Sequence, residues 1–289
     1  MITFLRFGRA HTLIGTTLSL LAVYLIATRQ YGIHDWGMFA WSLFVCLAAN
    51  VYITGLNQLT DVEIDRINKP YLPLASGAYT IAQGRWIVGV CGVLAVIGSL
   101  WYPPYLPLTV LSSIALGTAY SADPIRLKRF HFWAAFCIIV VRGLIVNLIL
   151  YLHYAKYLGE AASVPPIPPT IWLLTAVIFV FGVIIAWYKD LPDTEGDDAH
   201  GIRTLSLIRS KDWVYRAGAI LLSFTLLVAG AYALAQHQYY LGGGLIILLV
   251  GFGVNTRSLD LTDQASIARF YQGTWVVFFG IYLVFAVFG

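Results

Sequence analysis

Charge is what this sequence has least of. Of 289 residues, 18 are Lys or Arg and 14 are Asp or Glu, 11% in all against 59% hydrophobic. Soluble chains run at roughly a quarter charged and half apolar. So little charge excludes a soluble globular domain, and with a mean hydropathy of +0.77 it leaves a polytopic membrane protein. Cysteine is nearly missing as well. Cys46, Cys91 and Cys137 all fall inside apolar runs; an odd number without framework spacing excludes a disulfide scaffold and a zinc site, so they read as packing residues. There is little ahead of the first apolar run, which begins at Thr12 and has no small-residue cleavage site after it. It is therefore expected to be a retained helix, not a signal peptide. That leaves no room for an organelle transit sequence and points to a prokaryotic chain or a shortened one. Residues 163–169 are a Pro-rich turn, and 1–289 is expected to form a single transmembrane domain surrounded by lipid, with no nucleic-acid partner.

What is present is a series of apolar runs long enough to cross a bilayer, on the order of 17 to 25 residues each. They lie near 12–28, 37–56, 86–102, 105–121, 132–152, 171–189, 213–235, 241–256 and 270–288. The expected fold is all-α with nine transmembrane helices. Tyr102-Pro103-Pro104 and the polar stretch Gln236 to Tyr240 are too short for anything but tight hairpins. Lys and Arg concentrate on the cytoplasmic side of membrane proteins. Here all fall on one side except Arg29 and Lys156, and Arg142, which lies inside the fifth run. That places the N-terminus in the cytoplasm and the C-terminus opposite.

Two acidic clusters stand at matching places, after the second and sixth runs. Asn57, Asp61 and Asp65 are four apart, within about 80° of one another on a regular helix, with Asn50 on the same stripe; Glu63 points away. Asp190, Asp193 and Asp197 share an arc of about 60° if helical, although Pro192 and Gly196 make a full helix doubtful. Broken backbone at membrane depth is tolerated where protein or a watery cavity covers it, so the break itself suggests a site. Carboxylates at a hydrocarbon border are costly to desolvate. Two clusters without enough basic partners at hand call for a bound cation. Oxygen ligands that keep waters and share phosphate oxygens suit Mg²⁺; zinc would want Cys or His. The expected metal ligands are Asp61, Asp65, Asp190, Asp193 and Asp197.

Basic residues follow both clusters. Arg126, Lys128 and Arg129 come after the fourth run and Arg203 after the second cluster. Metal ions bridging acidic groups to an anion, with Arg and Lys closing from the other side, form the arrangement that stabilises a leaving diphosphate. Asn57, Arg126, Lys128 and Arg203 are the expected diphosphate contacts.

With these motifs in place the chain resembles, over essentially its whole length, the UbiA superfamily of intramembrane aromatic prenyltransferases. Asn57-Gln-x-x-Asp61-x-x-x-Asp65 resembles the first family motif, and Asp193-x-x-x-Asp197 followed by Gly201-Ile202-Arg203-Thr204 the second. The stretch Asn68-Lys69-Pro70-Tyr71-Leu72-Pro73-Leu74-Ala75-Ser76-Gly77 is similar to the homogentisate prenyltransferase branch, as are Lys189-Asp190-Leu191-Pro192-Asp193 and Arg9-Ala10-His11-Thr12. Gln58 stands where the wider superfamily has Asp, a feature of the homogentisate branch, and Ala10 stands where that branch has Pro.

The resemblance implies nine helices around a central cavity, Mg²⁺ held by the two motifs, and a prenyl diphosphate, phytyl or geranylgeranyl, in the cavity. It implies transfer of the prenyl group to the ring of homogentisate with loss of CO₂, as in tocopherol and prenylquinone synthesis, in a bacterial plasma or thylakoid membrane of cyanobacterial type with the site open to the cytoplasm. Asp61, Asp65, Asp193 and Asp197 are then the catalytic carboxylates. Aromatic faces stabilise a cation by roughly 0.5 to 2 kcal/mol each, which makes Tyr120, Trp187 and Tyr188 candidates to face the allylic cation. Arg9 and His11 are candidates to meet the acceptor carboxylate. Arg142 is a separate signal, because an intramembrane Arg must find an anion, an amide or a watery cavity; on a regular helix Asn147 does not share its face. The rivals are a prenyltransferase for hydroxybenzoate, naphthoate or chlorophyllide, and, from another class, a cation transporter. A transporter calls for acids near the bilayer midplane and inverted repeats, whereas these acids fall at one mouth.

Overall fold

The computed structural model of the chain describes residues 1–159, 163–194 and 204–289. These form helices and turns, with no strand among the described residues. A short α1 (Ile2–Phe7) leads into α2 (Ala10–Tyr31) and α3 (Trp36–Thr60), and α3 continues after a break into α4 (Val62–Asn68). The hairpin of α5 (Ile81–Ser99) and α6 (Tyr105–Ser121) is followed by a single 3₁₀ turn, Leu127–Arg129. The 28-residue α7 (His131–Leu158) and α8 (Pro169–Tyr188) come next. After the one-turn α9 (Leu205–Ile208) the chain ends in α10 (Lys211–Ala235), α11 (Tyr239–Arg257) and α12 (Gln264–Phe288).

Each of the nine apolar runs forms one of these helices. Eight are long and apolar enough to cross a membrane. The remaining one, α6, has 17 residues, about 26 Å at 1.5 Å per residue. Backbone polar groups have no water to bond to in hydrocarbon, so the spans satisfy them internally. The helix ends outside use side chains instead: Asp35 accepts from Met38 N–H, Thr80 and Gln83 form a reciprocal capping box, and Asp263 accepts from Ala265 and Ser266.

Apolar side chains cover both the inside and the outside, as a protein in lipid requires. Tyr24, Tyr154, Phe181, Phe278 and Phe285 are fully buried, while Trp86, Trp101, Ile220 and Ile247 lie largely exposed on the outer faces. Six spans, α2, α3, α6, α7, α8 and α12, surround an internal cavity; α5, α10 and α11 contribute nothing to its lining.

The fifth run holds a departure from the regular helix expected there. Val140–Ile149 within α7 is π-helical, a widening that recurs at functional sites. Gly143 sits inside it, where a Cβ would stand 2.9 Å from the Phe179 backbone, so α7 and α8 touch closely at this level.

Candidate active site

The first acidic segment is broken, not the continuous stripe that four-residue spacing suggests. Asp61 leaves helical geometry (φ −121°, ψ 17°) and serves as the C-cap of α3 and the N-cap of α4. Its carboxylate is buried, so it needs donors, and it has them: Asn57 Nδ2 at 2.9 Å, Arg126 at 3.1 Å and the Lys128 ammonium. Asn57 in turn accepts from Arg9 at 2.8 Å. Both arginines hold left-handed backbone, φ 51° at Arg9 and φ 38° at Arg126, conformations that cost about 1 to 3 kcal/mol and persist where the surroundings enforce them. Gln58 faces elsewhere: its amide donates to Phe7 O at 2.7 Å and ties down α1.

The second segment leaves α8 as a turn. Lys189 bonds both Asp190, at 2.9 Å, and the Tyr120 hydroxyl, at 3.1 Å. Asp193 receives the Lys69 ammonium on one oxygen, and Asn68 donates to its backbone carbonyl at 3.1 Å. The two segments thus meet at the same ends of α3 and α8, away from the middle of the spans. Asp197 and Arg203 lie outside the described residues.

The expectation that these acids lack basic partners is corrected: Asp61, Asp190 and Asp193 each hold a lysine. What remains unmet is more specific. Among the described residues Asp65 Oδ2 and Asp193 Oδ1 are buried with no donor, and Arg9 Nε and Arg126 Nε are buried with no acceptor. Burial raises the Asp65 carboxyl to about 6 despite Arg9 and Lys69 nearby. Burial likewise lowers Lys128 to about 8, outweighing the pull of Asp61. Lys189 stays well above the ordinary lysine value, because burial, which would lower it, is outweighed by Asp190 and Tyr120. Unfilled carboxylate oxygens beside unfilled guanidinium donors suit a hard cation and an anion bound together. Among the described residues no three acidic, His or Cys side chains converge as a ready-made metal cage.

Behind this mouth the cavity, about 220 Å³, runs inward between the six spans. Arg9, Asn57, Tyr120 and Lys189 line its outer end, and Thr16, Ser113, Cys137, Ile138, Val141 and Val146 its walls. A smaller hollow of about 70 Å³, lined by Leu20, Cys46, Ala49, Val110 and Leu150, shares Thr16, Asn50, Ile53, Ser113, Val141 and Val146 with it and extends it inward.

Of the expected aromatic candidates, Tyr120 lines this space. Trp187 and Tyr188 do not: Trp187 packs on Trp213 with ring centroids 6.1 Å apart, and fully buried Tyr188 donates to Tyr215 O at 2.9 Å. Their side of α8 faces α10. Tyr271 and Trp275, unforeseen, take their place in the lining. His11 stacks edge-on against Trp275 at 4.7 Å, and Arg142 lies over the same ring at 5.0 Å. Arg9, considered for the acceptor, is engaged with Asn57 at the mouth. Lys69 and Lys189 were also missed, although both lie within the quoted motif stretches; only the tertiary fold brings them to the acids. The Tyr271/Trp275 pair has a weak sequence signal, two aromatics four apart on one helical face.

The family model described as the UbiA prenyltransferase family matches residues 13–283. A homogentisate phytyltransferase of Synechocystis is 45% identical, with 98% of this chain and 94% of that protein aligned. Homogentisate phytyltransferase 1 of Arabidopsis thaliana is 37% identical, covering 97% of this chain and 74% of the relative. Among solved structures, a UbiA homologue from Archaeoglobus fulgidus bound to DMAPP and Mg²⁺ superposes with a TM-score of 0.68 at 16% identity, over 96% of this chain and 99% of the other.

Proposed function

From its membership of the UbiA prenyltransferase family, to which this chain belongs, we propose that the protein transfers a prenyl group, phytyl or geranylgeranyl, from its diphosphate to homogentisate. It is an integral, multi-pass membrane protein whose site opens to the cytoplasm. One observation carries the reading: buried Asp65 and Asp193 oxygens that lack a donor among the described residues lie near Arg9, whose buried Nε lacks an acceptor and which lines the outer end of a cavity between membrane helices. The relatives named above as homogentisate phytyltransferases supply the acceptor.

The donor diphosphate lies against Arg9, Arg126 and Lys128, with Lys69 and Lys189 turning toward it from the acids they hold. Arg203 is assigned to the same anion. Mg²⁺, held by Asp65 and Asp193 with Asp61, Asp190 and Asp197, would supply the positive charge that makes diphosphate a good leaving group. The prenyl chain runs inward past Ile53, Ser113 and Val146. When diphosphate departs, the faces of Tyr120, Tyr271 and Trp275 stabilise the allylic cation. Apolar walls keep out water, which would quench it. The prenyl group replaces one ring hydrogen of the acceptor, and a proton replaces the carboxylate that leaves as CO₂. His11, which has no hydrogen-bond partner among the described residues and lines the cavity, is placed to carry that proton.

Mass spectrometry of products from protein in nanodiscs tests this reading. Homogentisate with geranylgeranyl or phytyl diphosphate is expected to yield a quinol that has gained the prenyl group and lost CO₂, with Mg²⁺ and not with EDTA. Products from hydroxybenzoate or chlorophyllide alone would refute the acceptor.

A further inference from the structure

Among the described residues Arg142 is the one arginine set within a span and facing the cavity. Among the described residues it has neither a carboxylate partner nor a hydrogen-bond acceptor. Its guanidinium rests on Trp275, 5.0 Å from the ring centroid, and near Phe278, at 5.8 Å. Stacking of this kind contributes about 0.5 to 2 kcal/mol, while a charge at membrane depth costs at least about 2.5 kcal/mol. The charge is therefore incompletely compensated, and a guanidinium cannot shed its proton to escape.

The surroundings hold this cation in place. The π-helical turn lets Asn147 Nδ2 bond the Arg142 carbonyl at 3.3 Å and the Gly143 carbonyl at 3.0 Å, while Asn147 Oδ1 accepts from Tyr282 at 3.0 Å. Gly15 on α2 stands against the same two rings: a Cβ there would lie 3.2 Å from Phe278 and 3.4 Å from Trp275, and at ordinary contact, 3.6 Å, from Arg142 Nη1. Gly15 is six residues along from Arg9, so Arg142 lies about 9 Å deeper than the diphosphate-binding mouth. That depth separates it from the phosphate contacts and leaves space for one aromatic ring between them. Trp275 and Tyr271 border the space.

We propose that Arg142 is the receptor for the carboxylate of the aromatic acceptor, holding it by a two-pronged hydrogen bond so that the ring faces the departing diphosphate. This rests on the acceptor being a carboxylate-bearing ring. The planar fork matches a carboxylate, and the pair neutralises the charge where water is excluded. The site would take an arylacetate or arylcarboxylate and discriminate against the same ring with its carboxylate capped.

The test compares homogentisate with its methyl ester on the full chain in nanodiscs, by equilibrium dialysis without donor and by steady-state kinetics with it. Wild type is expected to bind the acid about 10- to 100-fold more tightly than the ester. In Arg142→Gln that ratio should fall to near one, with the acceptor KM raised and the donor KM unchanged within about twofold. Arg142→Lys, which keeps the charge without the fork, should be intermediate, and it carries the test if the Gln variant does not insert. A ratio that persists in both variants, or a donor KM that rises with the acceptor KM, overturns the proposal. If wild type makes no product from homogentisate, the acceptor reading fails separately; the acid-to-ester ratio is then read on hydroxybenzoate, and absence of any preference there overturns the role of Arg142.

Discussion

Lys69 donates to Asp193, joining residues 124 apart in sequence. The pair ties the turn after α4 to the turn after α8, with Asn68 adding a second bond to the Asp193 carbonyl. Two acidic segments from distant parts of the chain are thus joined at one mouth by the protein's own side chains. Lys69 occupies one of the Asp193 oxygens that the proposed cation would take.

Lys69→Met removes that competitor and also one contact to the anion. Calorimetric titration of the donor-free variant should show Mg²⁺ binding roughly tenfold tighter, while kinetics show a donor KM roughly tenfold higher. If both constants stay at wild-type values, Lys69 is only a structural link.

Asp61 and Asp193 separate in their effect on stability. Asp193→Asn should lower turnover by at least about 100-fold and lower the melting temperature less than Asp61→Asn does, because it strands one cation, Lys69, where Asp61→Asn strands two. Asp61→Asn should match that loss and also destabilise, because Lys128 and Arg126 lose their shared anion; a broken buried pair costs about 3 to 5 kcal/mol. Thermal unfolding in detergent checks the difference, and equal melting temperatures for the two variants would contradict it.

Asp65, a proposed metal ligand raised by burial to about 6, is expected to set the pH dependence of cation binding. Below that value a proton occupies the carboxylate and competes with the metal, so Mg²⁺ affinity should fall by up to about tenfold per unit as pH drops below 6, and level off above it. Without metal the sign reverses for stability: a raised carboxyl binds its proton more tightly when folded, so the contribution is present at low pH and is lost as pH rises through 6. Titrations at pH 5, 6 and 7 in Mg²⁺ and in EDTA read the two trends. Asp65→Asn should flatten both.

Ser113 lines both the main cavity and its inner extension. Ser113→Phe should close the passage between them, reducing kcat/KM for twenty-carbon donors by roughly tenfold or more while sparing five- and ten-carbon donors. Equal losses for all donors would place the chain along another path.

Much of this architecture can be read from the residues. The membrane helices are legible because apolar runs of membrane length admit few alternatives, and Asp61, Asp65 and Asp193 stand out because carboxylates are rare in such a context. Arg142 stands out for the same reason. Less is visible where the information is tertiary. Spacing alone makes 57, 61 and 65 one helical stripe, but three donors on Asp61 hold it at a break. Nothing local distinguishes Tyr188, which packs against α10, from Trp275, which lines the cavity. The π-helical turn depends on Asn147 bonding back to residue 142 and on Gly143 touching Phe179, contacts that regular periodicity does not anticipate.

The most direct measurement follows the acceptor carboxylate itself. Protein in nanodiscs is given homogentisate labelled in the carboxyl carbon, with geranylgeranyl diphosphate and Mg²⁺, and released CO₂ is counted against diphosphate. Homogentisate prenyl transfer predicts one labelled CO₂ for each diphosphate, both abolished by EDTA and by Asp193→Asn. Diphosphate release without labelled CO₂, or a prenylated product that keeps the label, would contradict it.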